Sequence, residues 1–137
     1  MLGFSVSNSM EGKRYDKALE HAILQGLETA GIVIEGEAVT RAPLKTGRLK
    51  GSITYAVRGK RSYARSPAGP MDEVSAPSDR YTLYVGTNVE YAQHVEYGTV
   101  RTRGAKKPYL VPALINRARD VQKIVRDTMR EAISRGR

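Results

Sequence analysis

The chain has 137 residues, no cysteine and a formal net charge of +9, from 23 Lys and Arg against 14 Asp and Glu. That length predicts a single domain over residues 1–137, and the missing cysteines exclude a disulfide framework, a thiolate metal site and a cysteine nucleophile. The charge is segregated: residues 1–42 carry four basic and six acidic side chains, residues 43–99 eight and five, and residues 100–137 eleven and three, a balance that points to a polyanion or an acidic protein surface as partner.

Residues 2–7 alternate, with Phe4 and Val6 on one side, and predict a short strand. From Asp16 to Ala42 apolar residues recur at spacings of three and four (Leu19, Ala22, Ile23, Leu27, Ala30, Val33, Ile34, Ala38, Val39), which predicts one long amphipathic helix. Gly26, Gly31 and Gly36 interrupt it at a spacing of five, which does not keep them on one face. They are read as points of bending rather than as a close-packing seam. Pro43 ends the helix, and Pro43 to Leu49 forms a turn built around Thr46-Gly47, with a short helical turn after it. Ser52 to Val57 alternates with Ile53, Tyr55 and Val57 on one face and predicts a strand.

Residues 58–80 hold three prolines, two glycines and five basic residues. So long a stretch without its own pattern is unusual inside a domain and predicts a loop or hairpin excursion. Together with the basic loop at 100–107, it is expected to become ordered at contacts with a partner. The chain returns as a strand over Tyr81 to Gly86, antiparallel to the first. Asn88 is placed to cap a short helix over Val89 to Tyr97 that Gly98 ends. Tyr109 to Val111 reads as a brief strand, and Pro112 suits the first turn of a last helix that runs to Ser134. That helix has one apolar stripe, and its other faces carry Arg117, Arg119, Lys123, Arg126, Arg130 and Arg135. The sum is an α+β domain: a small antiparallel sheet of three to four strands packed with two long helices and a short one.

No catalytic constellation stands out. His21 and His94 lie on helices as partly exposed residues, and no HExxH, phosphate loop or GxSxG motif occurs. No catalytic, cofactor or metal residue is assigned. No apolar run approaches 18 residues, and the N-terminus lacks the basic and apolar regions of a signal peptide. The basic last helix has two readings: a surface that neutralises phosphates, or a solvated face whose charge suits the helix dipole. It lacks aromatic residues that would stack on bases, which argues against sequence-specific binding. Non-specific contact with phosphates or with an acidic partner stays open.

The most informative feature is an ordered series of three blocks. The first is Ala42-Pro43-Leu44-Lys45-Thr46-Gly47-Arg48-Leu49-Lys50-Gly51-Ser52-Ile53. The second is Val85-Gly86-Thr87-Asn88-Val89-Glu90-Tyr91-Ala92-Gln93-His94-Val95-Glu96-Tyr97-Gly98-Thr99, and the third is Lys107-Pro108-Tyr109-Leu110-Val111-Pro112-Ala113. In this order, between two long helices, they resemble the tail-component family of tailed bacteriophages, the head–tail joining or tail-completion proteins. Tyr109 stands where phenylalanine is frequent. The resemblance implies a structural, non-enzymatic virion protein without cofactor. It would form a homo-oligomeric ring, commonly a hexamer, in the neck or at the head-proximal end of the tail, after assembly in the host cytoplasm. The ring would join the head connector or stopper to the tail tube or terminator proteins around the DNA path, with no membrane involved. A tail terminator ring and a basic, non-specific DNA-binding protein are the alternatives.

Within that frame Pro43, Thr46 and Gly47 are expected to maintain the fold. Tyr91, Glu96, Tyr97, Thr99 and Tyr109 are candidates for subunit or ring contacts, with Glu96 as an anchor for a neighbouring subunit's arginine. Arg61, Arg65, Arg101, Arg103, Lys106 and Lys107 are candidates for contact with DNA or an acidic partner.

Overall fold

A computed structural model of the chain describes residues 2–7, 17–43, 47–98 and 106–135. Along them run β1 (Leu2–Ser7), α1 (Lys17–Arg41), α2 (Arg48–Ser52), β2 (Thr54–Val57), β3 (Lys60–Arg61), a 3-10 turn at Pro70–Asp72, β4 (Thr82–Thr87), α3 (Ala92–Tyr97) and α4 (Leu110–Arg135). The expected α+β class is what forms. The four strands lie in the order β1-β4-β2-β3, and every neighbouring pair is antiparallel. On one side β4 pairs with β1, from Leu2 opposite Thr87 to Ser7 opposite Thr82. On the other it pairs with β2, from Thr54 opposite Gly86 to Ala56 opposite Tyr84.

Helix α1 is the middle layer. It packs on β2 and β4 with one side and on α4 with another. Ile23, Leu27, Ala30, Ile34 and Ala38 share one buried core with Tyr55, Val57, Leu83 and Val85 of the sheet and with Leu110, Ala113 and Val121 of α4. Each large aliphatic side chain removed from water there contributes about 1.5–3 kcal/mol. Arg117 pairs with Glu37 at 3.3 Å near one end of the helix pair, and Gly26 lies against Val125 and Thr128 further along, so α1 and α4 run antiparallel. Among the described residues α4 packs mainly on α1 and is apolar on one stripe only, whereas α1 packs on both α4 and the sheet.

The glycines of α1 correct the expectation of bending. A Cβ on Gly31 would sit 2.8–2.9 Å from the side chains of Leu83 and Tyr55, and one on Gly26 would sit 3.3 Å from the Cα of Val125. A Cβ on Gly36 would meet nothing within 4 Å. A spacing of five turns each glycine about 140° from the last. Gly26 therefore faces α4, Gly31 the sheet and Gly36 solvent, and the first two give neighbouring layers room to close.

The excursion at 58–80 forms as expected, opening with the β2–β3 hairpin, but it is held to its own chain rather than left for a partner to order. Ser62 N–H donates to the carbonyl of Tyr55 at 3.0 Å, and Asn88 N–H to the carbonyl of Asp72 at 2.8 Å. Val74 N–H donates to Thr54 Oγ1 at 2.9 Å, and Ala64 N–H to the Glu73 carboxylate at 2.6 Å. The segment covers the back of β2, so all four β2 residues are buried rather than alternate ones. Its low hydrophobicity concealed this, since polar groups elsewhere in the chain anchor it. Of the 100–107 loop only Lys106 and Lys107 fall among the described residues, and both are exposed.

Three boundaries differ from expectation. Ser52 closes α2 instead of opening β2. Asn88 does not cap a helix: its Nδ2 donates to the carbonyl of Met71 at 3.2 Å, and α3 begins at Ala92. Tyr109 to Val111 is not a strand, because α4 begins at Leu110. The end of α3 is as expected, with Gly98 at φ +77 and its N–H donated to the carbonyl of His94 at 2.8 Å, a conformation glycine adopts without strain.

The glycine geometry predicts opposite effects for one substitution. Gly36→Ala should raise unfolding stability by up to about 1 kcal/mol, the helix-propensity difference. Gly31→Ala should lower it, because Leu83 and Tyr55 must move. Urea unfolding of the two variants beside the wild type measures both signs.

Candidate functional site

The three sequence blocks meet at one end of the sheet. The first block contributes α2, the second the end of β4 with α3, and the third the start of α4. Gly47 opens α2 in the left-handed region at φ +81, and its carbonyl accepts the N–H of Gly51 at 2.9 Å. Of the turn residues named with it, Pro43 is half-buried and Thr46 lies outside the described residues.

A buried relay joins the first two blocks. Ser52 Oγ donates to the carbonyl of Leu49 at 2.7 Å and lies 2.6 Å from Thr87 Oγ1, which in turn accepts the N–H of Val89 at 3.0 Å. Ser52 has committed its only hydroxyl proton, so Thr87 must be the donor between the two. Every polar atom of this buried chain is then partnered.

Arg48 makes a second joint. Its guanidinium donates to both oxygens of Asp72, at 2.8 and 3.1 Å, and to both oxygens of Glu90, at 2.9 and 3.0 Å. It also lies 5.8 Å from the centroid of the Tyr91 ring. One arginine thus ties α2 to the 3-10 turn of the excursion and to the turn before α3. The hydrogen bonds from Arg48 hold the carboxyls of Asp72 and Glu90 below their usual range.

Glu96 makes the third joint. Its side chain is buried, and Oε2 accepts the N–H groups of Tyr109 at 2.8 Å and Leu110 at 3.1 Å, while Oε1 accepts that of Val111 at 2.8 Å. An α-helix leaves four N–H groups open at its N-terminus. In α4 these belong to residues 109–112, and Pro112 has none to offer. One carboxylate and one proline therefore account for the whole first turn, and the negative charge sits at the positive end of the helix dipole. This is why residues 109–111 leave the extended state expected of them.

Glu96 and Tyr109 are buried inside the chain; Glu96 is committed to α4 and is not presented to a neighbouring subunit's arginine. Burial and the nearby Glu96 push the Tyr109 phenol well above its usual range. Tyr91 is half-buried beneath Arg48, and Tyr97 is 57% exposed. Arg61 pairs with Glu73 at 3.3 Å, and Arg65 pairs with Glu35 at 2.8 Å and also donates to the carbonyls of Lys50 and Ile53. Thr99, Arg101 and Arg103 lie outside the described residues. The arrangement is one of joints. His21 and His94 are exposed and far apart in sequence, and no group of three potential metal ligands occurs among the described residues. The Arg48 cluster was not legible, because its members are 24 and 42 residues apart and no local pattern connects them.

Two outcomes follow from these joints. Glu96→Ala leaves three donors without partners and should lower unfolding free energy by about 3 kcal/mol, with Glu96→Gln, which keeps one acceptor oxygen, in between; urea unfolding at pH 7 measures it. Arg48→Gln should lower the thermal midpoint at pH 7. Because the carboxyls of Asp72 and Glu90 titrate lower when folded than when unfolded, the stability Arg48 confers is complete above their unfolded pKa of about 4. It fades as pH falls further, so the gap between wild type and variant should narrow below about pH 4 in thermal melts taken across pH.

The model of the family described as "Bacteriophage HK97-gp10, putative tail-component" matches residues 12–98, well over half of the chain. The match takes in the first two blocks up to Gly98, and Glu96 within it grips the third block and α4 outside it. No curated protein and no solved structure matches the chain. Among the described residues, no helix is long and apolar enough to cross a membrane. The chain belongs to the HK97-gp10 family of bacteriophage tail components, a structural protein of the virion.

Proposed function

We propose that this tail component is the repeating unit of a ring, six copies round, at the neck or the head-proximal end of the tail, where it joins the head connector to the tail tube around the DNA path. The observation that supports this reading is the corner locked by Glu96. It turns two apolar side chains to solvent: Tyr97, the residue after Glu96, is 57% exposed, and Ile115, one helical turn beyond Val111, is 67% exposed. Aromatic and aliphatic anchors on a rigid mount are what a subunit contact draws its energy from. A contact between unlike surfaces that closes by rotation gives a ring. The +9 charge of each copy makes the copies repel one another at low salt, so assembly is expected to need salt or a polyanionic partner.

Tyr97→Ala combined with Ile115→Gln should leave the stability of the monomer within about 0.5 kcal/mol, as surface substitutions do. In a phage carrying that variant, filled heads and free tails should accumulate unjoined. Cryo-electron microscopy of the wild-type neck should find a ring into which this fold fits; absence of the chain from purified virions would sink the proposal. A ring lying at the end of the tail tube, away from the connector, would favour the terminator reading.

A further inference from the structure

The basic residues of the chain divide into those spent within it and those left over. Among the described residues, ten of the twelve carboxylates already hold a guanidinium, a hydroxyl or backbone N–H groups of their own chain: Asp72, Glu90 and Glu96 in the three-block corner, and the rest along α1, the excursion and α4. Only Asp79 and Asp127 hold none. On α4, Arg117 is taken by Glu37 and Asp120, and Arg135 by Glu131. Arg119, Lys123, Arg126 and Arg130 are all exposed, and none pairs with a carboxylate among the described residues.

Their spacing of four, three and four puts these four on a single line along the helix, away from α1. At 1.5 Å per residue the line is roughly 16 Å long. A second copy of the chain has too few uncommitted carboxylates among its described residues to neutralise it. The line also has no apolar centre: the exposed aliphatics of α4, Ile115 and Ile133, stand beyond its two ends. Protein interfaces take their energy from buried apolar or aromatic anchors inside a polar rim, whereas binding along a phosphate backbone needs only aligned cations and the release of counterions.

We infer that Arg119, Lys123, Arg126 and Arg130 of α4 form a sequence-independent contact surface for the phosphate backbone of duplex DNA. This deepens the proposed ring by naming the face turned to the DNA path, and it rests on that reading for its biological setting alone. It also moves the electrostatic contact away from Arg61 and Arg65, whose guanidinium groups are engaged within the chain.

The test is fluorescence anisotropy of a labelled 40-base-pair duplex of arbitrary sequence with the full chain, titrated between 50 and 200 mM NaCl. Four phosphate contacts give a slope of log K against log salt near −3.6, a loss of about 150-fold over that range. A variant with Arg119, Lys123, Arg126 and Arg130 all changed to Gln, a good helix former, should lose nearly all binding and most of the slope while keeping its circular dichroism spectrum and thermal midpoint. A control with Arg58, Lys60, Lys106 and Lys107, also exposed, changed to Gln removes the same charge and should retain most of the affinity. Equal loss in both variants would reduce the effect to net charge and overturn the inference, as would wild-type binding that the α4 variant leaves intact. Retention of poly-glutamate through the four residues, with no retention of duplex DNA, would assign the line to an acidic protein and overturn it as well. Ring assembly, read separately by light scattering and negative-stain images, can succeed or fail independently of all three.

Discussion

The carboxylate of Glu96 is the constraint on which the arrangement of this molecule depends. It sits at the end of a six-residue helix too short to be stable alone, and it closes the first turn of a helix of 26 residues. A buried carboxylate without donors costs several kcal/mol, and so does a buried helix end without acceptors. Each supplies what the other lacks. Because both are satisfied in a single geometry, the direction in which α4 leaves the corner is set, and that direction lays its apolar stripe along α1.

The same logic of mutual satisfaction recurs through the chain. Arg48 resolves the charges of Asp72 and Glu90 at once, Arg65 closes Glu35 on α1 against the excursion, and the Ser52–Thr87 relay leaves no hydroxyl idle. Such polar joints take the place of apolar burial in the stretch from 58 to 80, where few apolar residues are available. They also use up the acidic side chains. Part of the positive charge that remains among the described residues is exposed in a line on the outer face of α4, in a chain whose first 99 residues are nearly balanced and whose last 38 are strongly basic. In this tail component the polar corner and the exposed basic line of α4 are thus separate parts of one small fold.

Both long helices, the antiparallel strands and the α+β class were legible in the sequence, because periods of 3.6 and 2 report directly which side of an element is buried. The end of α3 at Gly98 was legible for the same local reason. The start of α4 was not: Tyr109 and Val111 have strand propensity, and the group that draws them into a helix lies 13 residues away. Asn88 looked like a cap because its chemistry suits one, yet α3 begins only at Ala92 and the Asn88 amide donates to a carbonyl of the excursion instead. Tyr109 and Glu96 were expected at a subunit contact and are buried within the chain, since a motif marks a residue without telling whether it faces in or out.

The sequence by itself determined the periodic elements, the segregation of charge and the family, each carried by residues close together in the chain. Only the tertiary structure decided which glycines admit a neighbouring layer, which arginines are spent and which remain, and which residues of the three blocks hold the corner rather than face outward. Apart from the i,i+3 and i,i+4 pairs of α4, those outcomes are set by groups 12 to 80 residues apart, whose pairing is fixed by burial and by the need of each buried donor and charge for a partner, and no local pattern encodes that choice.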